Sequence, residues 1–455
     1  MPSGRSLTKT AQRWRVRHLW LLVFGLDLSV AVLVAYRVRY TEIDWRAYMQ
    51  QVHQVYVGGE RDYARVRGQT GPLVYPGGFL RAYRWLQQCS RGGEHIAMAQ
   101  RIFAALHALH ATLHYATLAV ALHDQTPTAF PLSWKLCWCT ALGMASRRVM
   151  SIYVLRLFND AVESVTMQLA LLLLVYNRRS QRASPATPSP VARRRTAPHA
   201  SLIVDALAAL VFSLAVSIKM NALLYTPAVL LLVAAAHGLG RALILLIVVC
   251  GAVQLALGWP FLSRHPISYL RKAFELSRVF EHRWSVNYAF LPARLFTSRA
   301  LAMALLSAHV AVLALAAYWV LRRARTRQRH RLLHTASGAL LTLGWCHHVG
   351  ILFARTLHYQ FLAWSWWLLP FLCLSGAPAR LRPRHRWRQL ARIVLLRVTP
   401  LGIIEVVFQI YPPRPLASVA LHLAHLWVLA LATESALHPP PLTETSDTRR
   451  AAARK

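Results

Sequence analysis

Apolar residues occur along this chain in long blocks that are separated by short polar connections. The blocks approach the roughly 20 residues that a helix needs to cross about 30 Å of hydrocarbon. They lie at 18–38, 97–122, 132–145, 150–176, 201–218, 222–236, 241–257, 299–321, 332–353, 356–376, 393–410 and 416–436. The pattern predicts an all-α, polytopic transmembrane helical bundle of about twelve membrane segments, with residues 18–436 as its membrane domain.

The composition supports a membrane protein and changes the interpretation of the charge. The chain is 56% apolar and 15% charged, whereas a soluble domain is about a quarter charged. The net charge of +37 comes largely from Arg in the connections between the apolar blocks. Basic residues in short connections indicate loops that stay on the cytosolic side. We therefore do not expect a nucleic-acid partner.

The arginine-rich connections also predict an orientation. With residues 1–17 as a cytosolic flank, twelve spans place 177–200, 322–331 and the C-terminus in the cytosol. The alternative interpretation of 1–17 is an organelle transit peptide. Segment 177–200 and tail 437–455 are rich in Ser, Pro and Arg, which predicts disorder. The outward loops would be 39–94 and 258–298, and the mixed charges of 39–94 predict a folded loop.

Two acids, Glu42 and Asp44, follow the first predicted span within a few residues. This places carboxylates where a lipid headgroup would meet a water-soluble acceptor. Transfer of a sugar from a lipid phosphate needs one carboxylate to accept the proton of the attacking hydroxyl. The alternative is an acid pair at a helix end that balances neighbouring arginines.

The same loop contains the sequence QTGPLVYPGG, which includes Tyr75. Its Pro and Gly residues require a fixed, turn-rich backbone. Such a segment could orient the acid and cap a site, although any ordered turn has the same composition.

Ionisable residues near the ends of apolar blocks are further candidates. Arg156, Asp160 and Glu163 would share one face if 153–163 were a continuous helix. They could be functional, or Arg156 and Asp160 could simply neutralise each other. Lys219 lies between two apolar stretches and could bind a phosphate or extend to the membrane surface as a snorkelling lysine.

Arg355 and His358 link the ninth and tenth predicted segments on the same outward side as Asp44. Arginine can hold phosphate oxygens with two parallel bonds, and His358 would add a donor. The alternative is an interfacial anchor beside the Trp-rich run at 364–367. His107, His110 and His114 line one helix face, but no carboxylate or Cys at useful spacing completes a ligand set. We therefore predict no metal site.

Six segments together resemble one enzyme family. They are TEIDWRAYMQQV (41–52), TGPLVYPGGF (70–79), YVLRLFNDAV (153–162), SIKMNALLYTP (217–227), WSVNYAFLP (284–292) and RTLHYQFLAW (355–364). In this order they are similar to the dolichyl-phosphate-mannose-dependent alpha-1,3-mannosyltransferases of the endoplasmic reticulum. The resemblance covers most of the chain.

The resemblance implies a GT-C glycosyltransferase fold in which 39–94 is the first lumenal loop, 258–298 the second, and 18–436 the catalytic domain. It implies dolichyl phosphate mannose as donor and a five-mannose dolichyl-diphosphate oligosaccharide as acceptor, with inversion and without a cofactor. Carried onto this chain, it implies the following roles: Asp44 as base with Glu42 as competitor, Asp160 as supporting acid, Arg355, His358, Lys219 and Arg156 as donor-phosphate contacts, and Tyr75, Asn159, Asn287, Tyr359 and Gln360 as substrate contacts.

Two other functions remain as alternatives at this point. A related enzyme could use the same donor on another acceptor, such as a glycolipid-anchor precursor. A lipid or solute transporter would also be polytopic, but it would carry ionisable residues near mid-membrane and broken helices in paired repeats. The clustering of the ionisable residues at one predicted face favours an enzyme. Residence in the endoplasmic reticulum membrane, with the site facing the lumen, follows from the resemblance alone.

Overall fold

The computed structural model describes residues 4–123, 133–182, 197–275, 281–378, 381 and 383–438. The described chain is almost entirely helical, as the sequence predicts. The predicted disordered loop and tail lie partly outside it, at 183–196 and 439–455.

The helices fall into two sets in chain order. The first ten are α1 (Gly4–Arg37), α2 (Trp45–Tyr56), α3 (Gly77–Cys89), α4 (Ile96–Leu122), α5 (Trp134–Met144), α6 (Arg147–Met150), α7 (Asn159–Arg182), α8 (Ala197–Ile218), α9 (Thr226–His237) and α10 (Leu239–Leu262). The others are α11 (Pro266–Ala273), α12 (Ala293–Phe296), α13 (Arg299–Tyr318), α14 (Thr326–His334), α15 (Ala336–Leu352), α16 (Leu362–Ser365), α17 (Leu369–Leu374), α18 (Arg386–Ile393), α19 (Thr399–Val407) and α20 (Pro415–Leu437).

Shorter pieces connect these helices. The 3-10 turns are Arg91–Gly93, Met220–Tyr225, His282–Trp284, Tyr359–Phe361 and Pro383–His385, and the π segments are Ser151–Leu155, Trp319–Arg323 and Val394–Val398. Strands β1 (Arg67–Gly68) and β2 (Gly71–Pro72) form one antiparallel hairpin, in which Arg67 pairs with Pro72 and Gly68 with Gly71.

The predicted count of twelve spans is not confirmed. Within the described ranges, seven helices are long and apolar enough to cross a membrane: Leu19–Arg37, Ile96–Leu122, Ala200–Ile218, Met220–His237, Leu239–Leu262, Arg299–Arg323 and Pro415–Leu437. A bent pair, Arg147–Leu155 and Asn159–Arg179, would be the eighth. The other four predicted segments are helical but short or interrupted, because 132–145 contains only the 11 residues of α5 and 356–376 is divided between α16 and α17.

Helix α7 lies at the centre of the bundle, where it packs against α4, α8 and α15. Helix α1 packs on α4, and α10 packs on α8. Several helices begin at a Ser or Thr whose hydroxyl accepts a hydrogen bond from the first turn, which satisfies one of the backbone donors exposed there. These caps are Ser133, Ser146, Ser298 and Thr335.

The backbone breaks immediately before α7, and this corrects one expectation from the sequence. The chain bends by 113° between Arg147–Leu155 and Asn159–Arg179. At the bend Leu157 has a φ of +53°, a left-handed conformation that is strained for a bulky residue. Arg156 is therefore not on the helix of Asp160, and the predicted shared face does not form; its guanidinium instead donates to the Ser151 hydroxyl.

The histidines of α4 contribute to packing within the bundle. Nδ1 of His107 lies 2.6 Å from Oδ2 of Asp27 in α1, and Nδ1 of His110 lies 2.6 Å from the Tyr153 hydroxyl. The His110 ring also stacks on Trp367 at 4.2 Å. These contacts join α1, α4 and the segment before α7 below the functional site.

Candidate functional site

The first outward segment is built around a row of glutamines on α2. Gln54 donates to the Arg67 carbonyl and accepts from the Arg67 N–H, and Gln51 donates to the Gly71 carbonyl. Gln50 accepts from the Gln69 N–H. Because these side chains hold both strands of the hairpin, they fix Thr70, at its turn, relative to the start of α2.

The glycines after this hairpin allow it to approach the membrane helices closely. A side chain at Gly78 would meet Oγ of Ser217 at 1.9 Å, and one at Gly77 would meet the Leu257 carbonyl at 2.4 Å. Ser217 lies two residues before Lys219. The PGG turn therefore lets the first loop pack directly on the end of α8, next to this lysine.

Asp44 occupies the N-cap position of α2. Its carboxylate accepts hydrogen bonds from Thr70 and from the Tyr48 hydroxyl, the latter at 3.4 Å. Burial raises the pKa of Asp44 above its ordinary value, whereas the Thr70 bond and the charge of Lys219 act in the opposite direction. Asp44 is thus a carboxylate held between two hydroxyls and facing a cation.

Lys219 and Asp160 form the charged centre opposite Asp44. Nζ of Lys219 lies 2.7 Å from Oδ1 of Asp160 and 3.1 Å from Oδ1 of Asn159. Nε1 of Trp364 donates to the same Asp160 oxygen at 2.5 Å. All of the Asp160 and Asn159 side chains are enclosed, and among the described residues Oδ2 of Asp160 and Nδ2 of Asn159 have no hydrogen-bond partner. A free acceptor and a free donor therefore remain in the site.

Aromatic rings surround the lysine. Nζ of Lys219 lies 5.8 Å from the ring centre of Tyr75, 5.3 Å from that of Phe361 and 5.5 Å from that of Trp364. Rings at these distances attract a cation through their electron-rich faces. The rings fix the ammonium group at the surface that Asp44 also faces.

Glu42, the competing acid, has a different environment. Its carboxylate accepts from the Tyr40 hydroxyl at 2.5 Å and from the Arg46 N–H in the first turn of α2 at 3.0 Å. It therefore caps the helix that begins with Asp44 in the N-cap position. The geometry gives Glu42 a local structural task and leaves Asp44 beside the lysine.

The segment containing Arg355 is held by the second outward segment. Asn287 donates to the Ala354 carbonyl at 2.8 Å and accepts from the Leu357 N–H at 2.7 Å. Arg355 donates to the Thr297 carbonyl at 2.9 Å. Both ends of the Asn287 amide are thus occupied in positioning the backbone before His358, and its contact with substrate remains a prediction.

A stack of rings connects His358 to the charged centre. His358 stacks on Phe361 at 5.2 Å, and Phe361 stacks on Trp364 at 3.8 Å. Trp364 in turn donates to Asp160. Tyr359, next to His358 and followed by Gln360 in the same 3-10 turn, donates its hydroxyl to the Ile410 carbonyl at 2.7 Å.

The structure brings Asp44, Tyr75, Asn159, Asp160 and Lys219 together, and places His358 at the end of the ring stack. Sequence reasoning missed Thr70, Tyr48 and Trp364. The motif that contains Thr70 was identified, but no local signal in the sequence indicates which of its side chains contacts Asp44. In the part of the chain that the structure describes, no group of three or more His, Cys, Asp or Glu residues could hold a metal.

The comparisons with known proteins agree on one family. The sequence profile of the ALG3 protein family matches residues 21–418. A mouse and a human protein, each named Dol-P-Man:Man(5)GlcNAc(2)-PP-Dol alpha-1,3-mannosyltransferase, are 37% identical over 414 residues, which covers 89% of this chain and 83% of theirs. The Arabidopsis thaliana protein of the same name is 35% identical over 436 residues, covering 91% and 87%.

Among solved structures, the chain is similar to ArnT from Cupriavidus metallidurans bound to undecaprenyl phosphate. The identity is 17%, the TM-score is 0.38, and the match covers 92% of this chain and 78% of that one. A superposition this loose assigns no residue.

Proposed function

This chain belongs to the ALG3 protein family, and we infer from that premise that it transfers mannose from dolichyl phosphate mannose to Man(5)GlcNAc(2)-PP-dolichol in an alpha-1,3 linkage. It is a membrane-bound glycosyltransferase of the endoplasmic reticulum, in the assembly of the N-glycan precursor. We place the site on the lumenal side with both termini in the cytosol. The family match disfavours a transporter.

Asp44 is the proposed catalytic base, and its position opposite Lys219 carries the proposal. The carboxylate takes the proton of the attacking acceptor hydroxyl as the new carbon–oxygen bond forms. The dolichyl phosphate leaves with the electrons of the bond that breaks, so no general acid is needed. A beta-linked donor attacked once gives the alpha-linked product, which is consistent with one base.

The other proposed roles follow the positions of the side chains. Asp160 holds the lysine, so that Lys219 can stabilise the negative charge that develops on the leaving phosphate. His358 and Arg355 contribute further donors to that phosphate, and Arg156 does so from the bend before α7. The open amide of Asn159, together with Tyr75, Asn287, Tyr359 and Gln360, is assigned to substrate contacts.

An apolar groove provides room for a lipid chain. It has a volume of about 830 Å³ and lies between α9, α13, α15 and α20. Leu230, Leu231, Val320 and Trp345 are among its lining residues. Because α9 begins a few residues after Lys219, the groove extends away from the charged site along the bundle. We assign it to the isoprenoid chain of the donor.

An assay with purified protein tests this function. Dolichyl phosphate mannose and Man(5)GlcNAc(2)-PP-dolichol should give a product with one more mannose, removable by an alpha-1,3-specific mannosidase. Asp44→Asn should lower kcat by about 10²–10⁴-fold, which is the usual contribution of a positioned base, without loss of donor binding.

Glu42→Gln is the matched control, because it also neutralises an acid two residues away and should retain most of the turnover. Full turnover by Asp44→Asn would refute the base assignment. Transfer by the wild type to a glycolipid-anchor precursor alone would refute the acceptor assignment.

A further inference from the structure

Two arginines beside the site are close to each other without an acidic partner of their own. Arg148 lies in α6 and Arg156 follows the π segment Ser151–Leu155, and the two are within electrostatic range of each other. Across the described ranges, neither guanidinium forms an ion pair with a carboxylate. Two neighbouring cations repel each other, so this arrangement is unfavourable unless an anion lies between them.

The nearest acid to Arg148 is already occupied. Glu405 of α19 accepts from the Ser146 hydroxyl at 2.6 Å, from the backbone N–H of Arg148 at 3.1 Å and from Gln409 at 2.9 Å. The carboxylate therefore fixes the start of α6 and compensates the Arg148 guanidinium only from a distance. Nε of Arg148 is enclosed and has no hydrogen-bond partner in the described chain.

The pair lies between the two segments that carry the proposed chemistry. The Arg148 guanidinium lies over the Tyr359 ring, 5.3 Å from its centre, and Tyr359 is adjacent to His358. On the other side, the Thr41 N–H donates to the Leu155 carbonyl at 2.9 Å. This bond places Arg156 next to the strand of chain that leads to Asp44.

We propose that Arg148 and Arg156 together bind a phosphate of one of the lipid-linked substrates. A guanidinium donates parallel bonds that match phosphate oxygens, and two of them can hold one phosphate group or a diphosphate. The identity of the lipid rests on the proposed function, in which the donor carries one phosphate and the acceptor two. In either case, Arg148 becomes a substrate-binding residue.

Direct binding tests the pair without requiring turnover. Wild type, Arg148→Gln, Arg156→Gln and Arg148→Lys, purified in detergent, would be titrated with dolichyl phosphate and with dolichyl diphosphate, neither of which carries a sugar. Arg148→Gln and Arg156→Gln should each weaken binding of one lipid by roughly tenfold, as expected for the loss of a charge-assisted bond. Arg148→Lys should lose less, because it keeps the charge. Melting temperatures identify any variant that fails to fold.

Arg147→Gln is the matched control, since it removes one exposed positive charge from the neighbouring position in the same helix. Weaker binding of dolichyl phosphate alone would assign the pair to the donor, and weaker binding of dolichyl diphosphate alone would assign it to the acceptor. Unchanged binding of both lipids by folded Arg148→Gln and Arg156→Gln would overturn the proposal. Failure of the wild type to transfer mannose would refute the proposed function and leave this result standing.

Discussion

Helices α7 and α8 are joined by a buried ion pair at each end, and the two pairs differ in how completely they are bonded. At the inner end, Arg178 contacts both oxygens of Asp205 at 3.1–3.2 Å, and His237 adds a contact at 2.9 Å. At the outer end, Lys219 contacts one oxygen of Asp160 and the other has no partner among the described residues. The two acids of the pairs are separated by about 27 Å along the helices.

This difference separates structure from function within one pair of helices. Buried polar groups are almost always bonded, because an unbonded one costs free energy. The inner carboxylate meets that rule, so a structural role accounts for it. The outer carboxylate does not, and a substrate hydroxyl would provide the bond that Oδ2 of Asp160 lacks.

The largest expected effect comes from removing one acid at either end. Asp205→Ala should lower the free energy of unfolding by about 3–5 kcal/mol, because it leaves Arg178 buried without its counter-charge. The fraction that remains folded should transfer mannose at the wild-type rate. Asp160→Ala should also destabilise the protein, but it should abolish transfer in the folded fraction. Unfolding in mixed detergent micelles and kcat per folded molecule are the measurements, and loss of transfer by folded Asp205→Ala would break the comparison.

Replacing both partners sharpens the difference. Arg178→Met combined with Asp205→Leu should recover most of the lost stability and could exceed the wild type, since apolar replacements of buried pairs are often neutral or stabilising by about 1–4 kcal/mol. Its activity should also recover. Lys219→Met combined with Asp160→Leu should recover stability in the same way and remain inactive. Recovery of transfer by this second double variant would show that the outer pair is only structural.

The sequence predicted the site residues better than their partners. The helical bundle and the acid in the first outward loop follow from local patterns. The partner of Asp160 does not, because Arg156 is four residues away on paper and Lys219 is 59 residues away in fact. No Pro or Gly marks the bend at Leu157 that separates Arg156 from α7. Contacts between helices depend on that bend.

The inner pair shows what a stricter reading of the sequence could have found. Asp205 lies within an apolar block, and an acid there needs a partner. Arg178 was assigned to an inward loop because it begins an arginine run, whereas α7 continues to Arg182. The run therefore disguised a helix residue. The span count failed for a similar reason, since an apolar stretch such as 356–376 can be divided into short helices that only tertiary packing supports.

A smaller effect is expected for the acid that caps α2. Glu42→Gln should lower the free energy of unfolding by about 1 kcal/mol, because the Tyr40 hydroxyl and the Arg46 N–H lose a charged acceptor. Its kcat should stay within a few-fold of the wild type. The measurement is paired with Asp44→Asn in the same detergent. A loss of stability by Glu42→Gln together with a large loss of rate would place both acids in the site.

The smallest expected change in stability has the opposite sign and belongs to Asp44. Burial raises the pKa of this carboxyl above 3.8, its ordinary value, so the folded state favours the protonated form more than the unfolded state does. The stabilising contribution is complete below the ordinary value and is lost as the pH rises through the raised pKa. At neutral pH, Asp44→Asn should therefore melt at a higher temperature than the wild type, and the two should converge as the pH approaches the ordinary carboxyl range. Melting curves across this pH range provide the check, and a lower melting temperature for Asp44→Asn at neutral pH would mean that Asp44, like Asp205, is held for structure.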